Sequence, residues 1–590
     1  MRKILSLVLA VVMLTSLASF GLAETTAEGY GNSQQGGENS LGVKVTFDGE
    51  TITAIEVIAN NDTAGISDPA VAQIPAAIVE AQSTLVDAVA GATYTSDAIK
   101  LAVEDAIAKA GLDVANFKKE VEKKEVEKAA NEEMVADVVV IGAGGAGMAA
   151  AVQAHQNGAK VIVIEKMGKM GGNTILAGGA LNAVDDRSET AIKQNDSVQW
   201  HYTQTLNGGD NKGDPALVHT MVSNAWAGVQ WLKDMGMEFK PELFTVLGGM
   251  WPRAHKPVEP VGTGFFKTYQ NYVDTHEGIY MKYNTKAEEL LQDETGRVVG
   301  VRCTGETGNT ITVKAEKGLV VATGGFAKNV ELRQAYNIQW ANLDESIRST
   351  NHPGATGDAV KMLMKLGADF VQMGNIQLLP LGDPETGSLS GNIEFGVESR
   401  IFVNKEGNRF VNEGGRRDEM THALFAQPDA YLWIIMDSDC YPTGEEVNNF
   451  NESVNSLIEQ GRAFKGETLE DLAKAINVPY ENLKAAVDEY NKHTESKEAD
   501  EFGRTLYGPA IDNGPFYAAG RVPTVHHTMG GVRINTKAQV ITENGEVIPG
   551  LYAAGEVTGG IHGTNRLGGN ALTDILVFGR IAGENAALGK

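Results

Sequence analysis

The run Asp137-Val138-Val139-Val140-Ile141 is short, apolar and β-branched, as expected of a strand buried on both faces. Gly142-Ala143-Gly144-Gly145-Ala146-Gly147 follows without a break. Met148 to Gln156 is Ala-rich and helix-prone, and Asn157-Gly158 ends it. Val161 to Ile164 is a second strand, closed by Glu165. This strand–GxGxxG–helix–strand–acid order constrains the chain to an α/β, Rossmann-like dinucleotide fold. Gly142 permits the tight turn. Gly144 lets a pyrophosphate approach the backbone, and Gly147 lets helix and strand pack closely. The helix start offers amide donors and the positive end of its dipole. Glu165 is placed to accept from ribose hydroxyls.

With 590 residues the chain can bury several cores. Acids outnumber bases, 76 to 50, for a formal net charge of −26, which argues against nucleic acid and anionic membrane surfaces as partners. Arg2-Lys3, the apolar Ile4 to Ala18 and the small residues Gly21-Leu22-Ala23 read as an export signal cleaved near Ala23. Cys303 and Cys440 are the only cysteines, so a disulfide framework, a lipoprotein anchor, covalent c-type haem and the usual iron–sulfur ligation are all ruled out. An exported redox protein of this kind needs another electron carrier.

Taken in order, Glu24 to Asn39 reads as a polar lead-in. Val43–Phe47 and Ile52–Ile58 form a hairpin across Asp48-Gly49. Pro75 to Gln82 and Asp97 to Ala110 are helix-prone. Val114 to Met134 is a Lys/Glu-rich tether. Later strands are expected at Val298–Cys303, Leu319–Val321 and Gly550–Ala553. Asp358 and Glu556 sit in or after Gly-rich turns. Residues 376 to 504 break the α/β pattern and read as an insertion.

Asp87-Ala88-Val89-Ala90-Gly91-Ala92-Thr93 resembles the flavinylation motif of FMN-binding domains, with Ala90 where Ser or Thr is usual. The resemblance spans residues 29–113. It implies FMN joined by a phosphoester to Thr93, with Asp87 as the recognition acid.

From Val135 onward the chain resembles the soluble fumarate reductase and urocanate reductase flavoproteins. The GAGGAG turn, Gly171-Gly172-Asn173-Thr174, Val525-His526-His527-Thr528-Met529-Gly530-Gly531 and Gly555 to Ala571 carry the likeness. It implies an FAD-binding domain (135–375 and 505–590), a capping domain (376–504) and non-covalent FAD. FAD contacts would be Gly142, Gly144, Ala146, Gly147, Glu165, Asn173, Thr174, Gly178, Gly179, Asp358, Glu556 and Arg566. Arg417 would be the acid that protonates the substrate. His526 and Arg566 would hold its carboxylate, with Gly179 and Gly569 lining the site.

Two departures bear on the substrate. Leu379 stands where fumarate reductases have a His, and Gly396 or a neighbour where they have an Arg. Glu394 meets the family's Glu with a one-residue shift. The site therefore reads as built for one carboxylate, with an apolar far end at Leu379 and Leu381 and an acid, Glu394 or Asp383, in reach. Urocanate comes first among named substrates, ahead of aryl or alkyl acrylates. The rival readings are a fumarate reductase, a dehydrogenase or oxidase of the same fold, and an electron shuttle without turnover. The resemblance further implies a membrane electron donor or flavin-transfer system as partner, and a role in anaerobic respiration.

Overall fold

The computed structural model describes residues 24–33, 37–62, 66–89, 92–121, 127–393, 396–448 and 450–590. The signal-like stretch 1–23 and Glu394 lie outside them. The described residues form two compact units, one ending at residue 121 and the other starting at residue 127.

In the smaller unit, three antiparallel strands pair in the order Thr25–Ser33, Gly37–Asp48, Thr51–Asn60. The polar lead-in is thus in large part a strand: Thr25 pairs with Phe47 and Gly29 with Val43. Its Gly-rich composition is required by packing. A Cβ on Gly29 would lie 2.0 Å from the Ala102 carbonyl oxygen, because the helix Thr93–Lys109 crosses directly over the strand. Leu41, Val43, Val45 and Phe47 on the sheet pack with Ile74, Ile78, Ile99 and Val103 on the helices.

The charged tether is shorter than 114–134. Asp113 caps the short helix Val114–Phe117 by accepting from the Ala115 amide, and Phe117 enters the small core. At the other end Glu132 pairs with Ile311, so the strand begins at Glu132.

In the larger unit the central strands run parallel in the order Val547–Ala553, Thr310–Val321, Glu132–Ile141, Val161–Ile164, Ile279–Lys282. The helix Gly145–Gln156 packs against the C-terminal helix Asn570–Leu588. Small residues permit this: a Cβ on Gly583 would lie 2.1 Å from the Ala150 carbonyl oxygen. The C-terminal sequence thereby closes the dinucleotide fold.

The inserted layer is a second sheet of Ile376–Gly382, Phe516–Thr528, Leu432–Asp437, Ile401–Asn404 and Ala463–Gly466. Its long strand Phe516–Thr528 lies beyond the 376–504 boundary read from sequence. It pairs with Ile376–Gly382 through Gln377–His527 and with Leu432–Asp437 through Leu432–Arg521. One strand therefore runs from the insertion's sheet to the His526-His527 pair.

A buried ion network supports this layer. Glu413, fully buried, accepts from Arg409 Nε (2.9 Å) and Nη2 (2.8 Å), Arg504 Nη1 (2.8 Å) and the Phe402 amide (3.1 Å). Burial opposes ionisation of Glu413, but the hydrogen bonds and charges of Arg409 and Arg504 outweigh it and hold the carboxyl below its usual range. Its stabilising contribution is complete above the ordinary carboxylate pKa and is lost as pH falls through the lowered one. Glu413→Gln should cost about 3–5 kcal/mol, the penalty for stranding buried cations. Urea unfolding at pH 7 should show this, with a smaller difference between variant and wild type in acid.

Candidate active site

The dinucleotide turn forms one wall of an open cleft. Gly142 adopts φ +101°, and a Cβ there would meet the Ala322 carbonyl oxygen at 2.4 Å. A Cβ on Gly147 would lie 1.8 Å from the Gly142 carbonyl oxygen. Gly144 caps the helix Gly145–Gln156 without a side chain, and nothing lies within 4 Å of its Cβ position. The helix amides therefore face the cleft, ready for a phosphate. Gly142, Gly144, Ala146, Glu165, Asn173, Thr174, Asp358 and Glu556 all line it. Gly147 lies beneath the turn. Gly178, Gly179 and Arg566 are not among its lining residues.

The acids of the cleft are held from behind. Glu165 accepts from the Ala143 amide (2.7 Å) and the Met167 amide (2.8 Å), so it fastens the Gly-rich turn to the strand Val161–Ile164. Burial raises its pKa. Asp358 pairs with Lys166 at 2.6 Å, and Lys166 also donates to Thr356. Glu556 accepts from the Thr528 amide (3.0 Å) and from Asn173 Nδ2 (3.0 Å), and burial raises its pKa as well. Asn173 in turn donates to Asn351 and accepts from the His352 amide. Thr323, which lines the cleft, carries a buried hydroxyl with no partner among the described residues. A glycine cradle, the N-terminus of the helix Gly145–Gln156 and this unpaired hydroxyl suit the pyrophosphate and ribose of a bound flavin dinucleotide.

Adjoining the cleft, the fold gathers a cationic cluster. Arg417 begins the helix Arg417–Phe425 and is 5% exposed; Arg566 is 3% exposed. Arg417 donates to the Leu247 carbonyl through Nε (3.0 Å) and Nη2 (2.8 Å) and to Gln377 Oε1 through Nη1 (3.1 Å). Gln377 donates onward to the Arg566 carbonyl at 2.9 Å and to Asn565 Oδ1 at 3.0 Å. Among the described residues, Arg566 Nε is buried without a partner. Among the described residues, neither arginine forms an ion pair. Burial, then the facing charge of Arg566, pushes Arg417 well below its usual range. Burial pushes Arg566 down to about 10, opposed by Glu556 and Asp574.

His526 contacts Thr350 Oγ1 through Nδ1 at 2.8 Å. Burial and the two arginines hold its pKa far below the usual imidazole value, so it is neutral at pH 7. His527 is buried beside His562, with ring centroids 5.6 Å apart, and His562 is hydrogen-bonded to Asp574. Gly569 is a positive-φ cap (+87°) against which Asn182 packs. The expected residues Arg417, His526 and Arg566 are thus together.

Two expectations about the far end change. Asp383 is not an open acid: its Oδ2 pairs with Arg462 (3.0 Å), and its Oδ1 accepts from Glu385, Thr386 and the Thr386 hydroxyl. Leu379 and Leu381 belong to the insertion's apolar core with Leu247, Phe402 and Ile434. Gln377, two residues before Leu379, is the polar residue of that strand that reaches the site. Sequence reasoning passed over it because an amide in an apolar strand carries no chemical signature of its own.

Comparison with known proteins agrees with this geometry. Residues 137–572 match the FAD binding domain family, and residues 36–108 match the FMN-binding domain family. A urocanate reductase from Eggerthella lenta is 36% identical over 96% of this chain and 93% of its own length. The chain belongs to the fumarate and urocanate reductase-like family of flavoproteins. An NADH:acrylate oxidoreductase from Vibrio harveyi is 35% identical over 96% of the chain, which spans only 61% of that longer relative. The open conformation of a flavocytochrome c3 fumarate reductase superposes with a TM-score of 0.62 at 35% identity, over 77% of this chain and 78% of that one. The family fold is the expected α/β FAD-binding fold with a small N-terminal domain.

Gln377 is the only side chain seen to bond the Arg417 guanidinium among the described residues. Gln377→Leu should remove a hydrogen bond to a charged group, worth about 1.5–3 kcal/mol. The expected loss in kcat/KM is roughly ten- to hundredfold at unchanged FAD content, read by steady-state kinetics and flavin absorbance.

Proposed function

We propose that this chain reduces the C=C bond of an α,β-unsaturated monocarboxylate, with FMN carried on Thr93 and FAD in the cleft. The observation that carries this reading is the pair of buried arginines without an acid partner among the described residues. A buried cation demands a counter-charge, and a substrate carboxylate supplies one. Relatives named for acrylate, urocanate and fumarate support the same chemistry.

FAD, when bound, supplies the hydride. Arg566 and the neutral His526 hold the carboxylate. As hydride adds to one alkene carbon, negative charge builds on the other carbon and on the carboxylate, where Arg566 stabilises it most. Arg417 gives its proton to that second carbon. The lowered proton affinity produced by burial and by Arg566 suits it to that step. Gln377 and the Leu247 carbonyl aim its guanidinium. Glu394 is the candidate acid for recharging Arg417 or for meeting an imidazole N–H. The one-carboxylate reading rests on the sequence departures at Leu379 and Gly396, with urocanate as the leading candidate.

In the smaller unit, Thr93 is exposed and is the first residue of a 17-residue helix whose cap residue, Ala92, makes no side-chain hydrogen bond to it. Its first-turn amides suit a phosphate on that hydroxyl. Asp87, also exposed, lies six residues before it. No described helix is long and apolar enough to cross a membrane. The leader-like residues 1–23 are the ground for reading an exported enzyme, fed by a membrane donor or loaded by a flavin-transfer system, that disposes of electrons in anaerobic respiration.

The test is anaerobic oxidation of a reduced dye by flavinylated protein with urocanate, acrylate, cinnamate, crotonate and fumarate. A monocarboxylate should be the best substrate; fumarate as best would refute the one-carboxylate site. Arg417→Ala should lower kcat at least about 10³-fold, within the range for a general acid, while FAD stays bound. Thr93→Val should remove covalent FMN, seen as a loss of intact mass, and leave FAD in place.

A further inference from the structure

Arg416 and Arg417 are neighbours that point opposite ways. Arg417 enters the site. Arg416, the extended cap residue before the helix Arg417–Phe425, turns outward and meets Asp210 fork to fork, Nη1–Oδ1 at 2.6 Å and Nη2–Oδ2 at 3.0 Å. This bidentate geometry fixes orientation as well as distance. Arg416 is braced by Asp418, at 3.1 Å and 2.7 Å.

Asp210 has a second partner. The Thr564 hydroxyl donates to its Oδ2. The Thr564 amide donates to the Gly209 carbonyl at 3.2 Å, and the two loops touch so closely that a Cβ on Gly563 would lie 2.2 Å from that oxygen. Thr564 stands two residues before Arg566. One carboxylate therefore touches the segment that carries Arg417 and the segment that carries Arg566.

The backbone is shaped for this. Asp210 and Asn211 both adopt positive φ, +55° and +53°, just after the helix Val198–Gly208. Such conformations persist where the surroundings impose them. The Arg416 and Asp210 side chains are 20% and 47% exposed, so the pair adds little to global stability. Its effect is on geometry. The hydrogen bonds from Arg416 hold the Asp210 carboxyl below its usual range, so it is ionised at neutral pH.

We infer that Asp210 is a positioning residue for the reaction: through Arg416 and Thr564 it latches the inserted layer to the loop of Arg566 and fixes the spacing of the two site arginines. This rests on the reading of Arg417 as acid and Arg566 as clamp.

The experiment combines kinetics with hydrogen exchange on the flavinylated full chain, using acrylate and urocanate as probes. Asp210→Asn should lower kcat/KM about tenfold and speed exchange in both segments, 416–420 and 563–566. Arg416→Gln should loosen only the first segment and Thr564→Val only the second. Arg416→Lys should restore part of the loss. The double variant Asp210→Asn with Arg416→Gln should be no worse than its poorer single, because both break one contact. Asp210→Asn within twofold of wild type in rate and exchange, or single effects that multiply in the double, would overturn the latch. If Asp210→Asn does not fold, the segment-selective effects of the other two variants decide. Wild-type protein that turns over neither probe, or Arg417→Ala that keeps full activity, would refute the site reading, and the exchange data would still judge the latch.

Discussion

Two guanidinium groups, Arg417 and Arg566, are buried close enough that Arg566 lowers Arg417's hold on its proton and both lower that of His526, and the described residues place no carboxylate in ion-pair contact with either. Desolvating a cation is costly, and desolvating two of the same sign costs more. The surrounding structure offsets that cost through fixed dipoles: the Leu247 carbonyl, the Gln377 amide and the Leu567 carbonyl accept from them, and Glu556 and Asp574 act on Arg566 from a distance. On the proposed reading, the result is a site that gains from an arriving anion and in which Arg417 holds its proton less tightly than it would in water. Binding and proton transfer then depend on one electrostatic arrangement.

That arrangement needs two layers held together. The flavin-binding layer supplies Arg566 from the loop before its C-terminal helix, and the inserted layer supplies Arg417 from the start of a short helix. Gln377 crosses between them from the first strand of the inserted sheet. The strand Phe516–Thr528 delivers His526 and His527 from the same sheet. The buried Arg409–Glu413–Arg504 network stiffens the inserted layer behind Arg417. Electrostatics in the active site is therefore inseparable from packing at some remove from it.

Much of this was legible in the chain. The glycine turn has one physical solution, because only glycine tolerates the φ of Gly142 and the contact of Gly147. The arginines and histidines were legible because they stand in motifs. The readings that changed were those that depended on partners distant in sequence. Asp383 looks like a free acid until Arg462, 79 residues later, is folded against it. Leu379 and Leu381 read as a pocket lining until the sheet turns them into its own core. Thr25–Ser33 reads as polar lead-in because its glycines serve a helix some 70 residues away. Phe516–Thr528 joined the wrong layer on paper because strand pairing is not local.

The sequence by itself determined the chemistry on offer: a dinucleotide turn that only small residues can form, a threonine in a stretch that resembles a flavin-attachment motif, and arginines and histidines in recognisable motifs. Local sterics and side-chain chemistry suffice for those, because neighbouring residues set them. Only the tertiary structure decided which charges stand alone and which are paired. It paired Asp383, left Arg417 and Arg566 without an ion-pair partner among the described residues, and put Asp210 between the segments that carry them. The energy of a charge depends on everything within several ångströms of it, and in a folded chain most of that comes from far along the sequence.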